Sequence, residues 1–161
     1  MGNSAVTTHQ QDLERFYFDY AACLDEQHYS KWPEYFTQEC RYEILSRENV
    51  EQNLPAPLMS CYSHGMVVDR VAMLVKNTLT YRRMYHKHFV SNVRALKENG
   101  DQLEASANVL VVQSDLEGVS SLYIVGTYLD LIVTSGNGLL IKNRRVVIDS
   151  FGIDNMLAVP V

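Results

Sequence analysis

Residues 102 to 134 read QLEASANVLVVQSDLEGVSSLYIVGTYLDLIVT, two β-rich runs on either side of a turn at Glu117-Gly118. Valine, isoleucine, leucine, tyrosine and threonine suit a pleated surface, and glycine accepts the positive φ that a tight hairpin requires. The pattern continues in both directions, through Asn99-Gly100 upstream and Gly136-Asn137-Gly138 downstream. Connections this short force antiparallel neighbours, so a four-strand meander is predicted over 85–97, 102–115, 119–134 and 139–152. Within it Val109 to Val112, Leu122 to Val125 and Val146 to Ile148 are apolar on both faces, whereas a sheet with one wet face alternates throughout. Helices from the first half of the chain can cover one side only. The other side is expected to pack against something outside the chain, as in an obligate oligomer. Gly126, in mid-strand, is read as a bend or bulge.

Upstream the period changes. Leu13, Phe16, Tyr17, Tyr20, Ala21 and Leu24 recur at helical spacing, which predicts one helix from about Gln10 to Gln27 with one buried stripe. Thr8 and Gln11 have the spacing of a capping box at its start, and residues 1 to 8 are expected to be frayed. A short second helix follows, with Ser30 as N-cap, Pro33 in its first turn, and Trp32 and Phe36 on its buried face. Residues 40–47 alternate as a half-buried strand, 48–60 read as a Pro-containing loop, and Met66, Val67, Arg70, Val71 and Leu74 mark a third helix over roughly 63–77. No repeat or linker interrupts this order. The class is α+β, with 1–161 as one domain.

Composition excludes several functions. A net charge of −5 disfavours a nucleic-acid partner, because phosphates demand a basic surface. No apolar run approaches the ~20 residues that span a bilayer. No basic segment followed by an apolar stretch opens the chain, so no secretion signal is expected. Cys23, Cys40 and Cys61 are dispersed and odd in number, which suits reduced thiols and a cytoplasmic location.

His86 and His88 sit two apart on a predicted strand and project to one face, and Asn92 and Arg94 are expected to continue that row. Such a row suits a general-base site with Tyr42 or Asp130 as partner, or a solvated or intersubunit face. A metal would need a third ligand, for which Asp130 or Asp149 is the candidate, but no HExxH, paired-Cys motif or facial triad is present. Cys23 and Cys40 read as core residues. No glycine-rich phosphate loop and no nucleophile elbow occurs. Asp69-Arg70, Asp130, Arg144-Arg145 and Asp149 are expected to form ion pairs, preferentially across an interface.

The order helix–helix–strand–helix–meander looks like the cystatin-like cone of nuclear transport factor 2 and ketosteroid isomerase, with three N-terminal helices packed on a curved antiparallel sheet. More specifically, the chain resembles the small (beta) subunits of Rieske-type aromatic-ring-hydroxylating dioxygenases. The resembling residues are Phe16 through Asp25 (FYFDYAACLD), Trp32-Pro33-x-x-Phe36, Tyr42, Asp69-Arg70-Val71 and His88-Phe-Val-Ser-Asn-Val-Arg94. They continue with Gly126-Thr-Tyr-Leu-Asp-Leu131, Arg144-Arg-Val-Val-Ile-Asp-Ser150 and Leu157-Ala-Val-Pro-Val161. The stretch Arg47-Glu-Asn-Val-Glu-Gln-Asn-Leu-Pro55 is most similar to the salicylate, anthranilate and terephthalate subgroup. The resemblance implies a structural subunit in bacterial aromatic catabolism, assembled with a large (alpha) subunit and with other copies of itself as three large and three small chains. The large subunit would hold a Rieske [2Fe–2S] cluster and a mononuclear iron, supplied from NAD(P)H through a reductase and often a ferredoxin. A Rieske centre takes two Cys and two His, and no Cys here has a His two residues away, so no catalytic, cofactor-binding or metal residue is expected in this chain. The rival reading is a stand-alone cone-fold lyase or isomerase using Tyr42, His86, His88 and Asp130.

Overall fold

The computed structural model describes the chain except residues 1–2, 77–82, 137, 151 and 154–156, with side chains described from Gln10 onward. The apolar stripe of α1 (Asn3–Asp25) buries Leu13, Tyr17, Tyr20 and Leu24. This helix already begins at Asn3, so Thr8 stands inside it and is not its cap, and the expected frayed segment is helical from that point. The second helix is a tight 3-10 turn, Tyr29–Tyr35, with His28 rather than Ser30 in the cap position and no side-chain cap. Trp32 is fully buried in it, donating from Nε1 to the Tyr20 hydroxyl at 2.9 Å and meeting Phe36 edge-on.

β1 (Phe36–Ser46) starts earlier than its alternation indicated, and the region expected as a loop contains two more elements. α2 (Arg47–Glu51) is capped by the Ser46 hydroxyl, which accepts from the Asn49 N–H. β2 (Met59–Cys61) pairs antiparallel with β1. α3 (His64–Val75) is capped by Ser63 and buries Val67, Val71 and Leu74.

The meander is β3 (Tyr85–Asn99), β4 (Gln102–Ser114), β5 (Ser120–Ser135) and β6 (Gly138–Ile148). Sheet order is β2-β1-β6-β5-β4-β3. The hairpins march from the far edge back to β1, so β6 meets β1 in parallel, Tyr42 opposite Arg144 and Ile44 opposite Val146. The sheet is therefore antiparallel except for this pair, which short connections could not reveal. It is curved and open, with α1 packed on β3, and α3 on the 3-10 helix and β1. That is the α+β cone expected.

Gly126 keeps register between Val109 and Ile148 and is not a bulge. Its reason is close approach: a Cβ there would stand 2.4 Å from the Val147 carbonyl oxygen. A real irregularity falls on β3, between Ser91 and Arg94, where Asn92 takes a left-handed φ of 53°. One extra residue there reverses the alternation. Val90 and Val93 both pack against the core, and Arg94 emerges on the outward face.

Candidate functional site

Inside the cone, aromatic side chains from α1, β1 and β5 surround one ion pair. Asp130 on β5 and Arg144 on β6 are directly opposed, with both side chains 0% exposed. Arg144 Nε reaches Oδ1 at 3.0 Å and its Nη2 reaches Oδ2 at 2.6 Å. Tyr17 donates its hydroxyl to Asp130, and the guanidinium lies 4.2 Å from the Tyr20 ring centroid and 4.1 Å from that of Tyr128. Burial alone would lower the Arg144 pKa, but the Asp130 carboxylate holds it well above the ordinary value. Burial, reinforced by Asp130, raises Tyr17. The arginine is a fixed cation and the phenol a fixed donor. Neither group is poised to exchange a proton near neutral pH.

Tyr42 is committed elsewhere. Its hydroxyl donates to the Val161 main-chain oxygen at 3.1 Å and accepts the Val161 N–H at 2.9 Å. Tyr20 donates to the same oxygen, so Val161 is buried against both hydroxyls, while Ala158 and Val159 pack with Leu74.

The histidines occupy the β3 end of the sheet. Asp25, at the close of α1, accepts from the His88 backbone N–H at 2.9 Å and contacts His88 Nδ1 at 2.7 Å. Burial would raise the Asp25 pKa, yet hydrogen bonding to His88 leaves it lowered. His86 packs on Tyr123 and has its pKa pulled down to about 4, by burial first and then by the nearby His88. Tyr42, His86, His88 and Asp130 thus have four different principal partners, and His86 Nδ1 and His88 Nε2 are buried without a hydrogen-bond partner. The expected row from His86 to Arg94 is also split, because the bulge at Asn92 leaves the histidines inward and turns Arg94 outward.

Asp130–Arg144 is an intrachain pair, not the interface pair expected. Asp149 pairs with Arg47, and Arg145 lies 3.9 Å from Glu43, which also holds Arg41. Cys23, Cys40 and Cys61 are free and buried. Among the described residues no group of three or more His, Cys, Asp or Glu side chains is placed to hold a metal ion, so the donor set fits neither a Rieske cluster nor a mononuclear iron. No helix is long and apolar enough to cross a membrane, among the described residues.

The outward face of the sheet is different in kind. Phe89, Leu110 and Val125 stand in one cross-strand row, and Val112 with Leu122 in the next. Phe89 is 55% exposed and Leu122 is 56% exposed, as is much of Leu129 in a further row. Beside Leu129 a cleft of about 470 Å³ opens around Arg94 and Asn108. Sequence reading found the apolar doubling of this face. It missed Asp25, whose partner is 63 residues away, and the tyrosine shell of Arg144, because neither contact has a local signature.

Residues 20–155 match the family model described as the ring hydroxylating beta subunit. The chain is 32% identical over 142 residues to the anthranilate 1,2-dioxygenase small subunit of Burkholderia cepacia, covering 88% of each chain. It is 27% identical over 141 residues to subunit beta 2 of the terminal oxygenase component of terephthalate 1,2-dioxygenase from a Comamonas species, covering 88% of this chain and 91% of the other. Among solved structures, a beta subunit assigned to an aromatic-ring-hydroxylating dioxygenase of Novosphingobium aromaticivorans superposes with a TM-score of 0.90 at 32% identity, over 98% of this chain and all of that one. With a cone of the same shape and a match across most of its length, the chain belongs to the ring-hydroxylating beta subunit family.

Proposed function

We propose that this chain is the small, non-catalytic subunit of a multicomponent ring-hydroxylating dioxygenase that acts on an aromatic acid. The carrying observation is the contrast between the two faces of the sheet. Inside, Arg144, Asp130, Tyr17, Tyr20 and Tyr42 are bound to one another or to residue 161. Outside, Phe89 and Leu122 remain uncovered in adjacent rows, and Leu129 in another beyond the Ser91, Asn108 and Thr127 row. Such a surface suits docking, and the acid, base and phenol groups of the interior are engaged with one another or with the chain end. The relatives named above, an anthranilate and a terephthalate dioxygenase subunit, support an aromatic carboxylate as the substrate class.

On this reading the partner is a large (alpha) subunit holding the Rieske [2Fe–2S] cluster and the mononuclear iron, with electrons from NAD(P)H through a reductase and a ferredoxin. Copies of the small subunit pack with it, as three large and three small chains in the cytoplasm, where buried free thiols persist. No residue of this chain touches the reacting atoms.

Co-expression with a large subunit carrying both iron motifs tests the proposal. The expected product is a coloured complex that oxidises an aromatic acid, while this chain alone turns nothing over. Turnover by the isolated chain without iron or NADH would refute it.

A further inference from the structure

We infer that the cleft around Arg94 seats an acidic side chain of the large subunit, so that the outward face docks around one buried carboxylate. This rests on the small-subunit reading above and assigns a site within it.

The argument begins with the bulge. Asn92 adopts a left-handed φ of 53°, a conformation that side-chain-bearing residues adopt at a cost and that recurs where a surface is re-aimed. Its effect is to set Arg94 in an outward row with Ser106, Leu129 and Arg145. The cleft of about 470 Å³ gathers Asn92, Arg94, Ser106, Asn108 and Thr127, a guanidinium with carboxamide and hydroxyl donors. Arg41, Arg47, Arg144 and Arg145 each have a carboxylate within 4.0 Å, whereas Arg94, like Arg15 and Arg70, has none among the described residues, and of these three only Arg94 lines the cleft. In a chain with 19 acidic and 14 basic residues, an arginine left without an acid and surrounded by neutral donors is matched to an anion.

The walls identify the source of that anion. Leu96 (52% exposed) and Leu129 (42%) flank the cleft, and the row of Phe89 and Val125 extends the apolar area beyond it. A free acid would fill the cleft and leave those side chains wet. A protein surface covers both, with the ion pair at the centre and apolar contacts around it, the arrangement of a binding hot spot. A second copy of this chain fits poorly. The nearby acid of this face, Glu43, is already held by Arg41 and Arg145, so it is not free to meet Arg94 of another copy.

The test uses the full chain co-purified with its large subunit. Arg94→Glu should weaken assembly by about 100-fold and Arg94→Ala by about 10-fold, with Arg94→Lys close to wild type. Added salt should weaken the wild-type complex more steeply than the Arg94→Ala complex. Because Arg94 has no ion-pair partner among the described residues, each variant alone should keep its Tm. Zero-length carbodiimide coupling of the Arg94→Lys complex should join the introduced amine to an Asp or Glu of the large subunit, identified by peptide mass. Assembly of Arg94→Glu within twofold of wild type, or coupling to a second copy of this chain, would overturn the inference and leave the small-subunit reading standing. Failure of the wild-type chain to assemble with a large subunit would remove both.

Discussion

Arg144 and Asp130 show how much a single buried pair can demand of its neighbours. Both are removed from water, so the attraction between them must offset two desolvation costs; the hydroxyl of Tyr17 and the faces of Tyr20 and Tyr128 add to the shell, while Arg144 Nη1 stays without a hydrogen-bond partner. Removing one partner strands the other. Arg144→Met should therefore cost about 3–5 kcal/mol in urea unfolding, whereas the double variant Asp130→Leu/Arg144→Met should cost much less than the sum of the singles. His86 supplies a prediction in pH. Its folded pKa of about 4 lies below its ordinary 6.5, so between those values the unfolded chain binds a proton that the folded chain refuses. Stability must then fall as pH drops from 6.5 to 4, by at most about 3 kcal/mol. His86→Leu should flatten the unfolding midpoint across that window. Asp25 works in a lower range: its depressed pKa stabilises the fold above the ordinary carboxylate value, and that contribution is lost as pH falls through the folded one.

At the scale of elements, what could be read from the chain and what could not divide along physical lines. The long strands and the turns at Gly100 and Gly118 were legible because period and turn chemistry are local. α2 and β2 were not, being five and three residues long, too short for any period to register. The parallel pairing of β1 with β6 depends on where the meander ends in space, and no residue of either strand announces it. The bulge at Asn92 was hidden for another reason. Asn in a strand tolerates a left-handed turn without requiring it, so the row from His86 to Arg94 looked continuous and the cleft around Arg94 could not be seen. Of the candidate site, the apolar doubling of the sheet was readable and its polar centre was not. The caps read at Thr8 and Ser30 are not formed, while one that was not read is testable: Ser63 accepts from the Met66 N–H, and Ser63→Ala should lower stability by about 1 kcal/mol with α3 otherwise intact.

For the molecule as a whole, one face of the sheet is stabilised by the chain's own helices and the other is left uncovered by the described residues. Phe89, exposed on the edge strand β3 of that second face, separates folding from association. Phe89→Glu should change the unfolding free energy of the isolated chain by less than about 0.5 kcal/mol and weaken association by at least about 10-fold, measured by light scattering and by co-purification. The parallel seam between β1 and β6 has a consequence for synthesis. A nascent polypeptide emerging from the ribosome can form the hairpins as they appear, but β1 must wait, one edge bare, until Ile148 has been translated. Closure is thus a late event. Stalled or prematurely terminated products should be the protease-sensitive, aggregating species, and simultaneous translation of a binding partner would shorten the time they spend unprotected.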